Sequence, residues 1–144
     1  HTFQWALHYR SIILVDLGKF QEAEELLIQG IKDDPDNPVS IMSLGVVYWK
    51  WGKKHQAQSL LSDLLHRSHF EYIKADIISR FYVAIGDNEK AIQWYVEMKN
   101  RKELSFMIMH NHPWLKDKFQ LAAYKQIYKD AGLYDVLFEH RKDK

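Results

Sequence analysis

"VDLGKFQEAEELL", residues 15–27, sets a glycine inside a stretch that otherwise reads as helix, with an aromatic two places on and an alanine three places beyond that. The layout returns along the chain. Gly18, Gly52 and Gly86 follow one another at intervals of 34 residues, as do Ala23, Ala57 and Ala91, and so does a third register of small residues, Ser11, Gly45 and Ser79. Three registers at one interval describe a repeat protein.

Between the glycines the apolar residues keep helical spacing. Leu7, Ser11, Leu14 and Leu17 share one face, and Ala23, Leu27 and Ile31 share another on the segment that follows. Each unit is therefore two helices, and its glycine sits at the bend between them, where a residue without Cβ takes a positive φ and ends the first helix. The small residues answer a second need, because two antiparallel helices approach closely only where side chains are short. Pro35 and Pro38, in "KDDPDNP", bar continuation of the first unit, and Asn37 is placed to cap the helix that Pro38 begins. The units run 4–37, 38–71 and 72–105.

Composition limits the alternatives. A chain of 144 residues with 47% apolar and 14% aromatic content folds. There is no cysteine, which excludes disulfides and thiolate metal sites. Acid and base are interspersed to a formal charge of +1, without the basic stripe of a nucleic-acid module. No apolar run reaches the length of a membrane span, and "HTFQWALHYRS" lacks the charged start and apolar stretch of a signal peptide. A cytoplasmic protein is expected, or a periplasmic one if a transmembrane segment precedes this stretch. A first residue of His points to a fragment of a longer chain.

Units of this length with an early small residue, Gly at the bend, Ala in the second helix and Pro at the end resemble tetratricopeptide repeats (TPR). "LGKFQEAEELLIQGIKDDP" is the best copy of the second helix and "SIMSLGVVYWKWG" of the first. The resemblance implies an all-α, right-handed superhelix of three hairpins. Departures are visible: Phe20 gives way to Lys54 and Asn88, Pro35 to His69 and Glu103, and Arg10 stands where the other units have Leu44 and Ile78. Residues 106–144 leave the pattern, and a helix over 119–131, ending at Gly132, is expected to cap the last repeat, with "EHRKDK" as a frayed tail. "HPWLKDKFQLAAYKQIYKDAGL" is also similar to the segment closing TPR arrays in bacterial regulators with winged-helix or adenylyl-cyclase domains. Pro113, Leu115, Phe119, Gly132 and Leu133 match it, and Asp117-Lys118 departs from it.

In such a superhelix the first helices of the pairs line a concave wall. Counting from the registers, the wall carries Trp5, His8 and Ile12, then Val39, Met42, Val46 and Trp49, then Asp76 and Arg80. Tryptophan and methionine suit contact surfaces, so a partner segment is expected there. The competing expectation is a tight curl, with these side chains packing on one another. The carboxylate clamp of chaperone-tail-binding TPR domains is absent, since its positions carry His8, Ile12, Ser43 and Arg80.

Other chemistries are weaker. His110 and His112, with Asp117 or His140, raise a metal or hydrolytic site, but two histidines at i, i+2 point apart. No nucleophile–base pair, phosphate loop or metalloprotease motif is present, so no enzyme activity and no cofactor are expected. Lys50, Lys53 and Lys54 with Trp49 and Trp51 form a basic-aromatic patch that could stack on single-stranded nucleic acid, or could seal a hairpin. A last expectation is self-assembly through the end face of the first hairpin, around Trp5 and Tyr9. The function expected is a protein-interaction or regulatory module.

Overall fold

The computed structural model describes residues 2–108 and 122–134. Among them every regular element is helical: α1 (Thr2–Asp16), α2 (Phe20–Asp33), α3 (Pro38–Lys50), α4 (Lys54–Arg67), α5 (Ala75–Ile85), α6 (Asn88–Asn100), α7 (Ser105–Ile108) and α8 (Ala122–Asp130). The helices pack in pairs, α1 on α2, α3 on α4 and α5 on α6. The pairs stack in turn, with α2 on α3 and α1, α3 and α5 side by side. The architecture is an all-α solenoid of three hairpins, with α7 and α8 against α6.

The bends repeat because the backbone demands them. Gly18, Gly52 and Gly86 have φ of +74°, +87° and +85°. After each, the next N–H reaches back five residues: Lys19 N donates to Leu14 O (2.8 Å), Lys53 N to Tyr48 O (2.8 Å) and Asp87 N to Tyr82 O (3.0 Å). This left-handed closure satisfies carbonyls that the helix end would leave unpaired. Gly132 closes α8 in the same way, with φ of +67° and Leu133 N donating to Tyr128 O (3.0 Å). Lys102 does so after α6 with φ of +56°, one of the few places where a residue with a Cβ takes the left-handed form.

The start of α3 follows from Asn37, whose side chain accepts from Val39 N (3.0 Å) while its amide donates to Asp34 Oδ2 (2.9 Å). The third unit has no such pair. Its first helix begins at Ala75, three residues into the span 72–105, because its cap is supplied from afar. Glu103 accepts from Ala75 N (2.8 Å), Asp76 N (3.3 Å) and the Tyr72 hydroxyl (3.2 Å). A carboxylate at a helix N-terminus meets both the orphan N–H groups and the positive end of the dipole. The residue standing where the repeat pattern has proline thus holds the opposite end of the same unit.

The small registers lie at contacts. Ala23, Ala57 and Ala91 are fully buried, and Ser79 Oγ donates to Ala91 O (3.1 Å) inside its hairpin. Gly45 differs, because a Cβ there would lie 2.1 Å from Phe81 Cζ, a ring of the next hairpin. Its smallness sets the spacing between hairpins. Phe81 is fully buried, in an interior packed close to crystal density. Gly45→Ala is expected to destabilise by about 1–3 kcal/mol despite the better helix former, through overpacking. Urea unfolding checks this, and a gain in stability would mean that α3 and α5 shift apart freely.

Candidate functional site

The wall residues named from sequence do lie along α1, α3 and α5, but most are covered. His8, Ile12, Val39, Met42, Val46 and Asp76 are buried, with Met42 at 0% exposure. Trp5, Trp49 and Arg80 are partly exposed. The middle of the wall is therefore filled by its own side chains. Met42, placed on an open groove by the residue count, is instead core.

Polar contacts hold this closure. His8 Nδ1 lies 2.8 Å from Ser43 Oγ, which donates to Val39 O (2.6 Å), and Ser40 Oγ donates to Gln4 Oε1. These bonds tie α1 to α3 at buried positions. Across the curve, the Arg80 guanidinium stacks 5.0 Å from the Trp5 ring, and Tyr9 and the Asp76 carboxylate interact with it in turn. First and third hairpins therefore meet over the second. Arg80 Nε is 3.7 Å from Asp76 Oδ2, and both side chains are at least nine-tenths buried. Burial raises the Asp76 carboxyl above its ordinary value, against the pull of Arg80, and burial also lowers the Arg80 guanidinium.

An opening remains at one edge. Trp5, Asn37, Pro38, Val39, Tyr72, Lys74 and Ile77 line a cleft of about 370 Å³ between the N-terminal ends of α1, α3 and α5. Of the sequence-derived wall it contains Trp5 and Val39. Asn37, Pro38, Tyr72, Lys74 and Ile77 were missed, because four of them sit in or beside the connections between hairpins, where the helical register says nothing of direction. Tyr72 is 69% exposed and its neighbour Phe70 79%, so large apolar side chains stand free at this rim.

The basic-aromatic patch is differently occupied. Lys53 Nζ lies 3.5 Å from the Trp51 ring centroid and 3.1 Å from Glu24 Oε1. Trp51 stacks on Phe20 with centroids 5.8 Å apart, and Lys54 lies over Trp49 (5.1 Å). Tyr48, beside Glu24, is pushed up to about 12 chiefly by burial. Cations and rings here join the first two hairpins, which is what such pairs do when partly desolvated.

His110, His112, Asp117 and His140 lie outside the described residues, as do residues 119–121 of the expected cap; α8 covers 122–130. Among the described residues no three His, Asp or Glu side chains gather as metal ligands. None of their helices is long and apolar enough to cross a membrane.

No protein-family model matches the chain, and no curated protein does. Among solved structures it is similar to three MamA chains. A MamA mutant aligns with a TM-score of 0.41 and 16% identity over 98% of this chain and 95% of that one. MamA MSR-1 gives 0.42 and 16% over 99% and 94%, and MamA AMB-1 gives 0.40 and 16% over 98% and 89%. A likeness this distant assigns neither partner nor activity.

Proposed function

We propose that this chain is a non-enzymatic protein-interaction module that takes a segment of a partner protein into the cleft bounded by Trp5, Val39, Tyr72 and Ile77. The observation that carries this is the contrast along one wall. Its middle is closed by internal packing, while its edge keeps an open, mostly apolar hollow with one cation, Lys74, at the lip. Concave apolar sites with a few placed polar groups are where peptides and ligands settle. Trp5 and Tyr72 are the anchors, since buried aromatic area dominates such contacts. The finer reading, an arm of a bacterial regulator that biases an attached domain, rests on the resemblance of residues 112–133. Within that stretch α8 and its Gly132 closure are the described part.

Selection of a displayed random-peptide library against the immobilised chain tests the reading. Peptides that bind are expected to lose affinity by about tenfold or more on Trp5→Ala, as central aromatic anchors do, and several-fold on Lys74→Glu if they are acidic. Far-ultraviolet circular dichroism verifies that both variants stay helical. Selected peptides whose affinity neither change touches would place the interaction elsewhere.

A further inference from the structure

The two seams between hairpins are built on one repeat, and the second lacks what ties the first. In the first seam α2 reaches the end of α3 through two side chains one turn apart. Phe20 stacks on Trp51, and Glu24 bonds at 3.1 Å to Lys53, whose ammonium lies over the Trp51 and Tyr48 rings. A ring and a carboxylate on one face of α2 hold that joint. One repeat on, Tyr48 returns as Tyr82, but Lys54 stands for Phe20, Gln58 for Glu24, Ile85 for Trp51 and Asp87 for Lys53. Ring and carboxylate are both gone from α4.

The second seam is correspondingly looser. α4 runs beside α5 for a shorter distance than α2 beside α3, and a groove of about 390 Å³ lies along the join. Its apolar wall is Trp49, Leu61, Leu65, Tyr82 and Ile85, and Gln58, Asp87 and Lys90 belong to its polar lining. At the rim Lys54 lies over Trp49 (5.1 Å) and makes no ion pair among the described residues. Lys90 rests over Tyr82 (5.5 Å) and reaches Asp87 Oδ2 only at 3.6 Å, while Asp87 Oδ1 accepts from Lys90 N (3.1 Å) to cap α6. Two cations and one already engaged carboxylate thus border an apolar hollow.

We infer that this groove takes a segment of a partner protein in which an aromatic residue stands beside an acidic one, the ring entering between Leu61, Leu65 and Ile85 and the carboxylate lying between Lys54 and Lys90. The segment supplies from outside the two groups that α2 gives the first seam. The volume is that of a site burying a few side chains, and the excess positive charge selects an acidic occupant. A nucleic acid suits it less well. Tyr82 is only 5% exposed and Lys54 lies on the Trp49 face, so the rings offer no free platform to a base, and Asp87 opposes a phosphate. The groove shares no lining residue with the cleft at Trp5, and the inference stands apart from that reading.

Nuclear magnetic resonance of the whole chain, titrated with the end-blocked peptide Gly-Glu-Phe-Glu-Gly, tests it. The amides of Leu61, Tyr82 and Ile85 are expected to shift, with a Kd of roughly 0.1–1 mM, as one buried ring and an exposed charge pair allow. Alanine in place of the peptide's phenylalanine is expected to weaken binding by about tenfold or more, and glutamine in place of its glutamates by about two- to fivefold. Lys54→Glu removes that preference for glutamate. Copying the first seam into the second, with Lys54→Phe, Gln58→Glu, Ile85→Trp and Asp87→Lys, is expected to abolish binding while circular dichroism shows the helices intact. Trp5→Ala leaves the titration unchanged, which separates this site from the cleft. Three results would overturn the inference: no shift at the groove up to about 5 mM peptide, glutamine and glutamate peptides binding the parent alike, or an oligothymidylate moving the same amides at lower concentration than the peptide.

Discussion

Asp76→Ala is expected to destabilise the protein by about 3–5 kcal/mol, because it strands a buried cation. Asp76 and Arg80 stand one turn apart on α5, with side-chain exposures of 4% and 9%. The guanidinium is held between that carboxylate, the Trp5 ring and Tyr9. With the carboxylate gone, its charge sits in protein with only a ring face and a hydroxyl to replace water. The pair as a whole is another matter. Their separation of 3.7 Å is long for a charge-assisted bond, and burial outweighs attraction at Asp76, raising its carboxyl. Replacing both, Asp76→Leu with Arg80→Met, is therefore expected to leave stability within about 1 kcal/mol of the parent or above it. Urea titration of the three proteins decides it. A loss below about 1 kcal/mol for the single variant would show that Arg80 finds water once Asp76 is gone.

The same pair gives a pH dependence of defined sign. A carboxyl raised in the folded state binds its proton more tightly there than in the unfolded chain, whose ordinary value is 3.8. The stability it contributes is complete below that value and is lost as pH rises through the raised one. Asp76→Asn is expected to flatten this part of the profile.

Alkali is expected to destabilise the C-terminal part of the stack as its buried tyrosines ionise. Tyr124 and Tyr128 are pushed up to about 12 by burial, and Tyr95 is pushed higher still by burial and by its bond to the Tyr128 hydroxyl. All three exceed the ordinary 10.0, so the stability they contribute is present below that value and falls as pH rises towards 12. At ~1.4 kcal/mol per unit, the two raised groups together withdraw on the order of a few kcal/mol across that window, a large share of the stability of a small domain. Tyrosinate absorbance and helical dichroism, followed together, are expected to show a late, cooperative group of tyrosines ionising as the helical signal drops. Independent ionisation of all eight tyrosines near the ordinary value, with the signal intact, would contradict it.

The hairpins, their number and their bends could be read from the residues because each depends on local chemistry. A left-handed bend needs a residue such as Gly52 whether or not anything packs on it, and Ala57 must be small wherever two helices touch there. Asn37 before Pro38 announces a helix start through bonds spanning two residues. The concave wall was legible only as a list of positions. Whether Met42 and Val46 face an open channel or each other depends on small rotations accumulated from hairpin to hairpin, and no single side chain encodes that sum. The closure became visible only with Trp5 over Arg80 and His8 against Ser43, contacts across 75 and 35 positions of chain. Glu103 shows the limit most plainly. By its place in the repeat it is a missing proline, and only the tertiary structure, which brings it to the N–H groups of Ala75 and Asp76, makes it the cap of α5. Local backbone preference is written residue by residue; the meeting of distant groups is set by how whole helices stack, and that is a property of the packed chain.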